Sequence, residues 1–171
     1  MKKLLLIATL ACTVSTFAQT QTKPTDITSK NSWLKLGLDV GVPTGDASNF
    51  SSFVAGVDIK GQLMQTKHLG LGLTTGYNHF FAKENASSIG AIPLGAFVRY
   101  YPQAKGFFAG LDLGYSFLTN SAGANGGFYL KPQLGYHNYD WNFYGFYNNI
   151  FVGGGSIAHL GIGATYNLRF K

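Results

Sequence analysis

The sequence is poor in cysteine, in charged residues and in long apolar segments. Its 171 residues include one cysteine, Cys12, and only 12% are Asp, Glu, Lys or Arg, whereas globular proteins average about 25% charged residues. No segment after residue 18 contains the roughly 20 consecutive apolar residues that a membrane-spanning helix requires. If the chain is cut after Ala18, the remainder has no cysteine and no disulfide can stabilise it.

Motifs for catalysis and for metal binding are also missing. The sequence contains no CxxC, no H-x-x-x-H and no G-x-S-x-G, and so it predicts no metal site, no cofactor and no enzymatic activity. His79, Glu84, Ser87 and Ser88 are close together in sequence, but we interpret them as part of a solvated loop. The alternative is a lipid-modifying enzyme, which would lose its lipid turnover in a His79→Ala variant.

The net charge of +6 comes from 13 Lys and Arg against 7 Asp and Glu. These basic residues form no block, so nucleic-acid binding is not predicted. We expect this charge to meet anionic lipid headgroups instead.

The N-terminal segment is typical of export. Two lysines follow Met1, an apolar stretch covers 4–14, and Thr16 and Ala18 place small residues before a cleavage point. We predict a signal peptide at 1–18, with a lipoprotein anchored at Cys12 as the alternative. The polar segment 19–32 is predicted to be a flexible lead-in, and 33–171 to be one barrel domain.

From Trp33 onward apolar residues recur with a period of two, which predicts strands. Helical patterning is nearly absent, and the seventh run carries aromatic residues on both faces, so its orientation stays open. The opposite face of the runs holds glycines, small polar residues and isolated charges. The eight predicted runs are 33–42, 53–63, 69–80, 90–101, 107–118, 127–137, 142–152 and 157–170.

A transmembrane barrel fits this pattern, since it turns the apolar face to lipid and the polar face to its lumen. The runs are close to the length that a tilted strand needs to cross a bilayer. Linkers after the first, third and fifth runs are long and those after the second, fourth and sixth are short, as extracellular loops and periplasmic turns are, although the last linker, GGGS, is also short. Aromatic residues gather at two levels, as interfacial girdles do: Trp33, Tyr100, Tyr101, Phe107, Phe108 and Phe170 at one, and Phe50, Phe53, Phe80, Phe81, Phe117 and Phe128 at the other.

Two stretches carry a resemblance to a known family: FVRYYPQAKGFFAGLDLGYSF at 97–117 and the closing LGIGATYNLRFK. Over residues 33–171 the chain resembles the small eight-stranded outer-membrane β-barrel proteins common in Bacteroidetes-type bacteria. The resemblance implies a location in the outer membrane after export through the inner membrane, with contacts to outer-membrane lipid. It also implies a contact with the barrel-assembly machinery through Tyr166, Leu168 and Phe170, the last of which is followed here by Lys171.

The predicted fold is therefore an all-β, eight-stranded antiparallel up-and-down transmembrane barrel with an N-terminal signal peptide. A charge inside so narrow a barrel must be paired. We predict a lumen network that contains Lys35, Asp39, Asp58, Lys60, Arg99, Asp112, Lys131 and Arg169.

The expected function is structural, or a surface interaction in which the long loops meet an extracellular ligand, with the lumen plugged by side chains. A narrow conduit for small molecules is an alternative. Another is a soluble lipocalin-like binder in the periplasm, with the two faces inverted.

Overall fold

The computed structural model describes residues 33–66, 68–84, 86–120 and 125–168. The predicted signal peptide and lead-in, and Arg169, Phe170 and Lys171, lie outside these residues. None of the described helices is both long enough and apolar enough to span a membrane. The elements are β1 (Leu34–Thr44), α1 (Ala47–Phe50), β2 (Ser51–Gln65), β3 (Leu69–Ala82), β4 (Ile89–Tyr100), β5 (Gly106–Thr119), β6 (Gly126–His137), β7 (Trp141–Val152) and β8 (Gly155–Leu168).

The strands form one closed antiparallel barrel in which each strand pairs with the next and β8 closes on β1. This confirms the predicted up-and-down fold, and every predicted run ends within two residues of the observed strand. Following the paired residues from Leu34 through each strand in turn leads back to β1 at Thr44. The barrel is therefore staggered by ten residues. Such a stagger requires strands tilted by about 35–45° to the barrel axis.

The alternating pattern sorts side chains between the two faces as predicted. Neighbouring residues show the contrast: Leu38 is 61% exposed, whereas Asp39 is 2% exposed. Leu134 and Ile162 also point outward and are 72% and 68% exposed. The inverted, lipocalin-like arrangement is therefore not the one that the described strands adopt.

Some aromatic residues predicted for the outer girdles lie inside the barrel, and for these the prediction was wrong. Phe80 and Phe108 are buried, Tyr101 packs on Phe108, and Phe50 packs on the apolar cluster that includes Phe80. Phe80–Phe81 and Phe107–Phe108 are adjacent pairs, and successive residues of a strand point to opposite faces. Only one member of each pair can therefore face outward.

The structure settles the orientation of β7. Tyr144 and Phe146 point inward, while Phe143 and Tyr147 point outward. The inward rings occupy space left by glycines of β8, because Tyr144 pairs with Gly163 and Phe146 pairs with Gly161. A β-carbon on Gly163 would stand only 2.7 Å from the Tyr144 ring.

The two ends of the barrel differ. The loop end carries the connections 45–50, 83–88, 120–125 and 153–154, and the turn end carries 66–68, 101–105 and 138–140. Helix α1, which the sequence pattern did not predict, lies in the first loop. Its Ala47 is fully buried in an apolar cluster at the loop end that also contains Phe80, Ile150 and Ile157.

Candidate functional site in the barrel interior

The predicted lumen charges that the structure describes all point into the barrel. Each is at most 3% exposed: Lys35, Asp39, Asp58, Lys60, Arg99, Asp112 and Lys131. Arg169, the eighth predicted member, lies outside the described residues. The strands place these groups inside because each occupies the face opposite to the exposed apolar residues.

Lys131 on β6 lies at the centre of the interior. Its Nζ is 2.8 Å from Oδ2 of Asp39 on β1 and 3.2 Å from Oδ2 of Asp58 on β2. The Tyr144 hydroxyl donates a hydrogen bond of 2.5 Å to the same Asp58 oxygen. One ammonium group thus joins two carboxylates from different strands, and a buried phenol shares one of them.

Lys60 on β2 extends this group. Its Nζ donates to Asp112 on β5, lies 3.8 Å from Asp58 Oδ2 and donates to Thr74 Oγ1 at 3.4 Å. We call Asp39, Asp58, Lys60, Asp112 and Lys131 the central charge cluster. Its three carboxylates and two ammonium groups tie four strands together across the lumen.

Arg99 reaches the central charge cluster through an amide. Its Nη2 donates to Gln133 Oε1 at 3.2 Å, and Gln133 Nε2 donates to Asp112 Oδ2 at 2.7 Å. Aromatic rings surround the guanidinium group, with the Phe108 centroid at 4.8 Å and the Tyr144 centroid at 5.6 Å. Cation–π contacts of this kind partly offset the hydration that a guanidinium group loses when it is buried.

Lys35 is hydrogen-bonded within a group of asparagine side chains at the turn end. Its Nζ donates to Asn167 Oδ1 at 2.9 Å, and Asn142 Nδ2 donates to the same oxygen at 3.0 Å. Asn167 in turn donates to the Tyr139 carbonyl at 3.1 Å. These bonds hold β1, β7 and β8 together at the turn end.

Sequence reasoning missed several interior residues that contact the predicted charges, among them Tyr144 and Gln133. The signal for Tyr144 was present in the alternating glycines of LGIGATY on β8, which leave room for a ring from a neighbouring strand. No comparable signal marks Gln133, because its partners Arg99 and Asp112 are brought to it only by the register of β4, β5 and β6.

The other residues singled out from sequence lie elsewhere. His79 faces outward, with the Tyr77 hydroxyl 3.0 Å from its Nδ1 and the Phe81 ring centroid at 4.6 Å. Ser88 accepts a hydrogen bond from the Ala82 amide. Within the part of the chain that the structure describes, no three His, Cys, Asp or Glu residues are grouped so as to hold a metal ion.

Two members of the predicted assembly signal lie on β8 at the turn end. Tyr166 packs edge-on against Trp141, with the ring centroids 5.0 Å apart, and Leu168 pairs with Leu34 of β1. Phe170, the third, falls outside the described residues.

Solved structures with the same fold exist, although no family model and no curated protein sequence matches this chain. A de novo designed transmembrane β-barrel aligns with a TM-score of 0.52 at 17% identity, covering 83% of this chain and 100% of the designed one. The N-terminal β-barrel domain of Pseudomonas aeruginosa OprF aligns with a TM-score of 0.50 at 11% identity, covering 81% and 99%. At these identities the likeness establishes the barrel fold alone.

Proposed function

We propose that the protein is an integral β-barrel of a bacterial outer membrane. The observation that carries this proposal is the distribution of side chains between the two faces of the same strands. Over the described residues, 28 large hydrophobic side chains are exposed on the outside, while the buried charges lie inside. A soluble protein rarely exposes a contiguous apolar surface of this extent, whereas a bilayer requires one.

The interior supports a closed lumen rather than an open channel. Eight strands leave an interior that side chains just fill, and here the central charge cluster, Arg99 and the Tyr144 and Phe146 rings occupy it. We therefore assign the interior a structural role, in which paired charges hold four strands in register. No catalytic activity is part of this proposal.

The loop end is the surface left for interactions. We place it outside the cell, where its loops would meet an extracellular ligand, because loops on a rigid scaffold commonly carry binding. We also propose that the chain is exported through the inner membrane and inserted by the barrel-assembly machinery. Its outer face then contacts outer-membrane lipid. Nucleic acid is not an expected partner.

Membrane fractionation followed by a gel of boiled and unboiled samples tests the proposal. We expect the protein in the outer-membrane fraction, extractable only with detergent, with faster mobility before boiling than after. Recovery as a soluble periplasmic protein without a mobility shift would refute it. Planar-bilayer recordings supply the second readout, and a stable single-channel conductance would refute the closed lumen while leaving the membrane location intact.

A further inference from the structure

A ring of five buried polar side chains lies next to the central charge cluster, on its loop-end side. Each is at most 2% exposed. Among the described residues, none of the following atoms has a hydrogen-bond partner: Asn78 Oδ1, Ser116 Oγ, Tyr129 OH, Asn148 Oδ1, His159 Nδ1 and His159 Nε2. We call Asn78, Ser116, Tyr129, Asn148 and His159 the polar ring.

The registers put the polar ring at one height in the barrel. Its members come from β3, β5, β6, β7 and β8. When the ten-residue stagger is divided equally among the eight strands, the positions of these members along the barrel axis differ by less than two residues. Below them lies the central charge cluster. Above them, toward the loop end, lie Phe80, Ile150 and Ile157, which form an apolar cluster with the Tyr129 ring.

On β1 and β2 the inward residues at this height are glycines, Gly41 and Gly56, and a β-carbon at either would collide with neighbouring atoms. The clearest case is Gly56 on β2, where Asp39 Oδ1 and Asn78 Oδ1 both lie within 2.5 Å of the point at which a β-carbon would stand. These two distances are 2.5 and 2.3 Å, so the two oxygens are at most 4.8 Å apart, and neither has a partner among the described residues. Two acceptors that face each other across such a gap need a donor between them.

Leaving these groups unsatisfied would be costly. An unpaired buried polar group destabilises the folded state, and several of them left dry would offset much of the small net stability of a typical domain. Buried polar groups without a protein hydrogen-bond partner are the setting in which proteins hold internal water, with each molecule making about three hydrogen bonds.

We propose that the polar ring binds a cluster of ordered water molecules, enclosed between the central charge cluster and the apolar cluster of the loop end. The ring itself presents amides, hydroxyls and an imidazole. The ammonium group of Lys131, which lies below the polar ring, already contacts two carboxylates. Water fits this set because it both donates and accepts, and because it is small enough to enter an interior closed by side chains.

Removing single hydroxyl groups tests the proposal through the sign of the stability change. Tyr129→Phe and Ser116→Ala delete groups that the structure shows without protein partners. If water bonds these hydroxyls, each variant lowers the temperature of the gel mobility transition by a few degrees, since about 1 kcal/mol corresponds to roughly 2–4 °C at this chain length. If the ring is dry, each variant raises that temperature, because an unsatisfied group has been removed, and the proposal is overturned.

Tyr115→Phe is the matched control, because Tyr115 is next to Ser116 on β5 but faces outward at 43% exposure. We expect the control to leave the transition unchanged. X-ray hydroxyl-radical labelling of the folded barrel is the second measurement. Bound water makes Tyr129 oxidise at least severalfold faster than Tyr144, which is similarly buried, and equal rates would contradict the proposal.

Bound water is distinguished from a bound ion by repeating the temperature measurement with sodium, potassium and choline chloride at equal concentration. We expect one transition temperature for the wild-type chain in all three salts. A transition that depends on the cation would overturn the assignment to water.

Discussion

The outer and inner faces of this barrel are made by alternate residues of the same strands, yet they follow different rules. Outside, Leu38 and Ile162 stand largely exposed and need only be apolar. Inside, Asp58 has three specific neighbours, Lys131, Lys60 and Tyr144, which come from two other strands as well as its own. The outer face therefore depends on a single physical property, whereas the inner face depends on a matched set of groups.

This difference implies different responses to substitution. An apolar residue outside should be replaceable by another apolar residue with little effect, since lipid adapts to its shape. An interior residue should not be replaceable even by one of similar size, because its partners would remain buried and unpaired. The four predictions below test this contrast, from the largest expected effect to the smallest.

Asp58→Ala should produce the largest loss. It removes the carboxylate shared by Lys131, Lys60 and Tyr144, and removing one partner of a buried ion pair costs about 3–5 kcal/mol. The measurement is the temperature of the gel mobility transition, supported by urea unfolding in lipid vesicles. Asp46→Ala in the exposed first loop is the control, and equal stability of the two variants would show that the central charge cluster does not hold the barrel together.

Leu38→Arg tests the outer face. A charged residue on the lipid face near the middle of the bilayer costs about 2–4 kcal/mol, and Leu38 lies in the middle of β1. Urea unfolding in vesicles should show this loss, while Leu38→Ile should unfold like the parent chain. If the arginine variant were as stable as the isoleucine variant, the outer face would be in water.

Tyr144→Phe probes one bond of the interior. The hydroxyl donates to the Asp58 carboxylate, and a hydrogen bond to a charged group contributes about 1.5–3 kcal/mol. The same unfolding measurement should detect this loss. Tyr147→Phe makes the same chemical change three residues away on the outward face, and we expect it to be neutral; identical behaviour of the two variants would remove the distinction between the faces.

Lys83→Ala should have the smallest effect. Lys83 Nζ donates to the Ser48 carbonyl at 2.6 Å at the exposed loop end, and exposed contacts of charged side chains contribute about 0–1 kcal/mol. Urea unfolding should place this variant within error of the parent chain. A loss as large as that of Tyr144→Phe would mean that α1 is anchored as firmly as the interior.

The sequence was sufficient to predict the faces and the strand ends, because alternation is a local property. The period of two in Leu34–Val42 already separates the residues that the structure shows outside and inside. Adjacent aromatic pairs such as Phe80–Phe81 led to a wrong assignment. Both residues were placed in an outer girdle because they are aromatic, although only one of two successive residues in a strand can face outward.

The contacts between interior residues could not be predicted in the same way. Lys131 contacts Asp39 across 92 positions of sequence, and their meeting depends on the stagger of the whole barrel. A shift of one residue in any register would exchange the two faces of a strand. Such partners become visible only when all eight pairings are known.

Depth-dependent quenching by lipid is the most direct test of the central claim that the outer face lies in a bilayer. Single cysteines at positions 38, 134 and 162, in a chain with Cys12→Ser, would carry a fluorophore in reconstituted vesicles. The account predicts strong quenching by lipids brominated on their acyl chains and little quenching by iodide in the buffer. Strong quenching by iodide together with no response to the brominated lipids would contradict it.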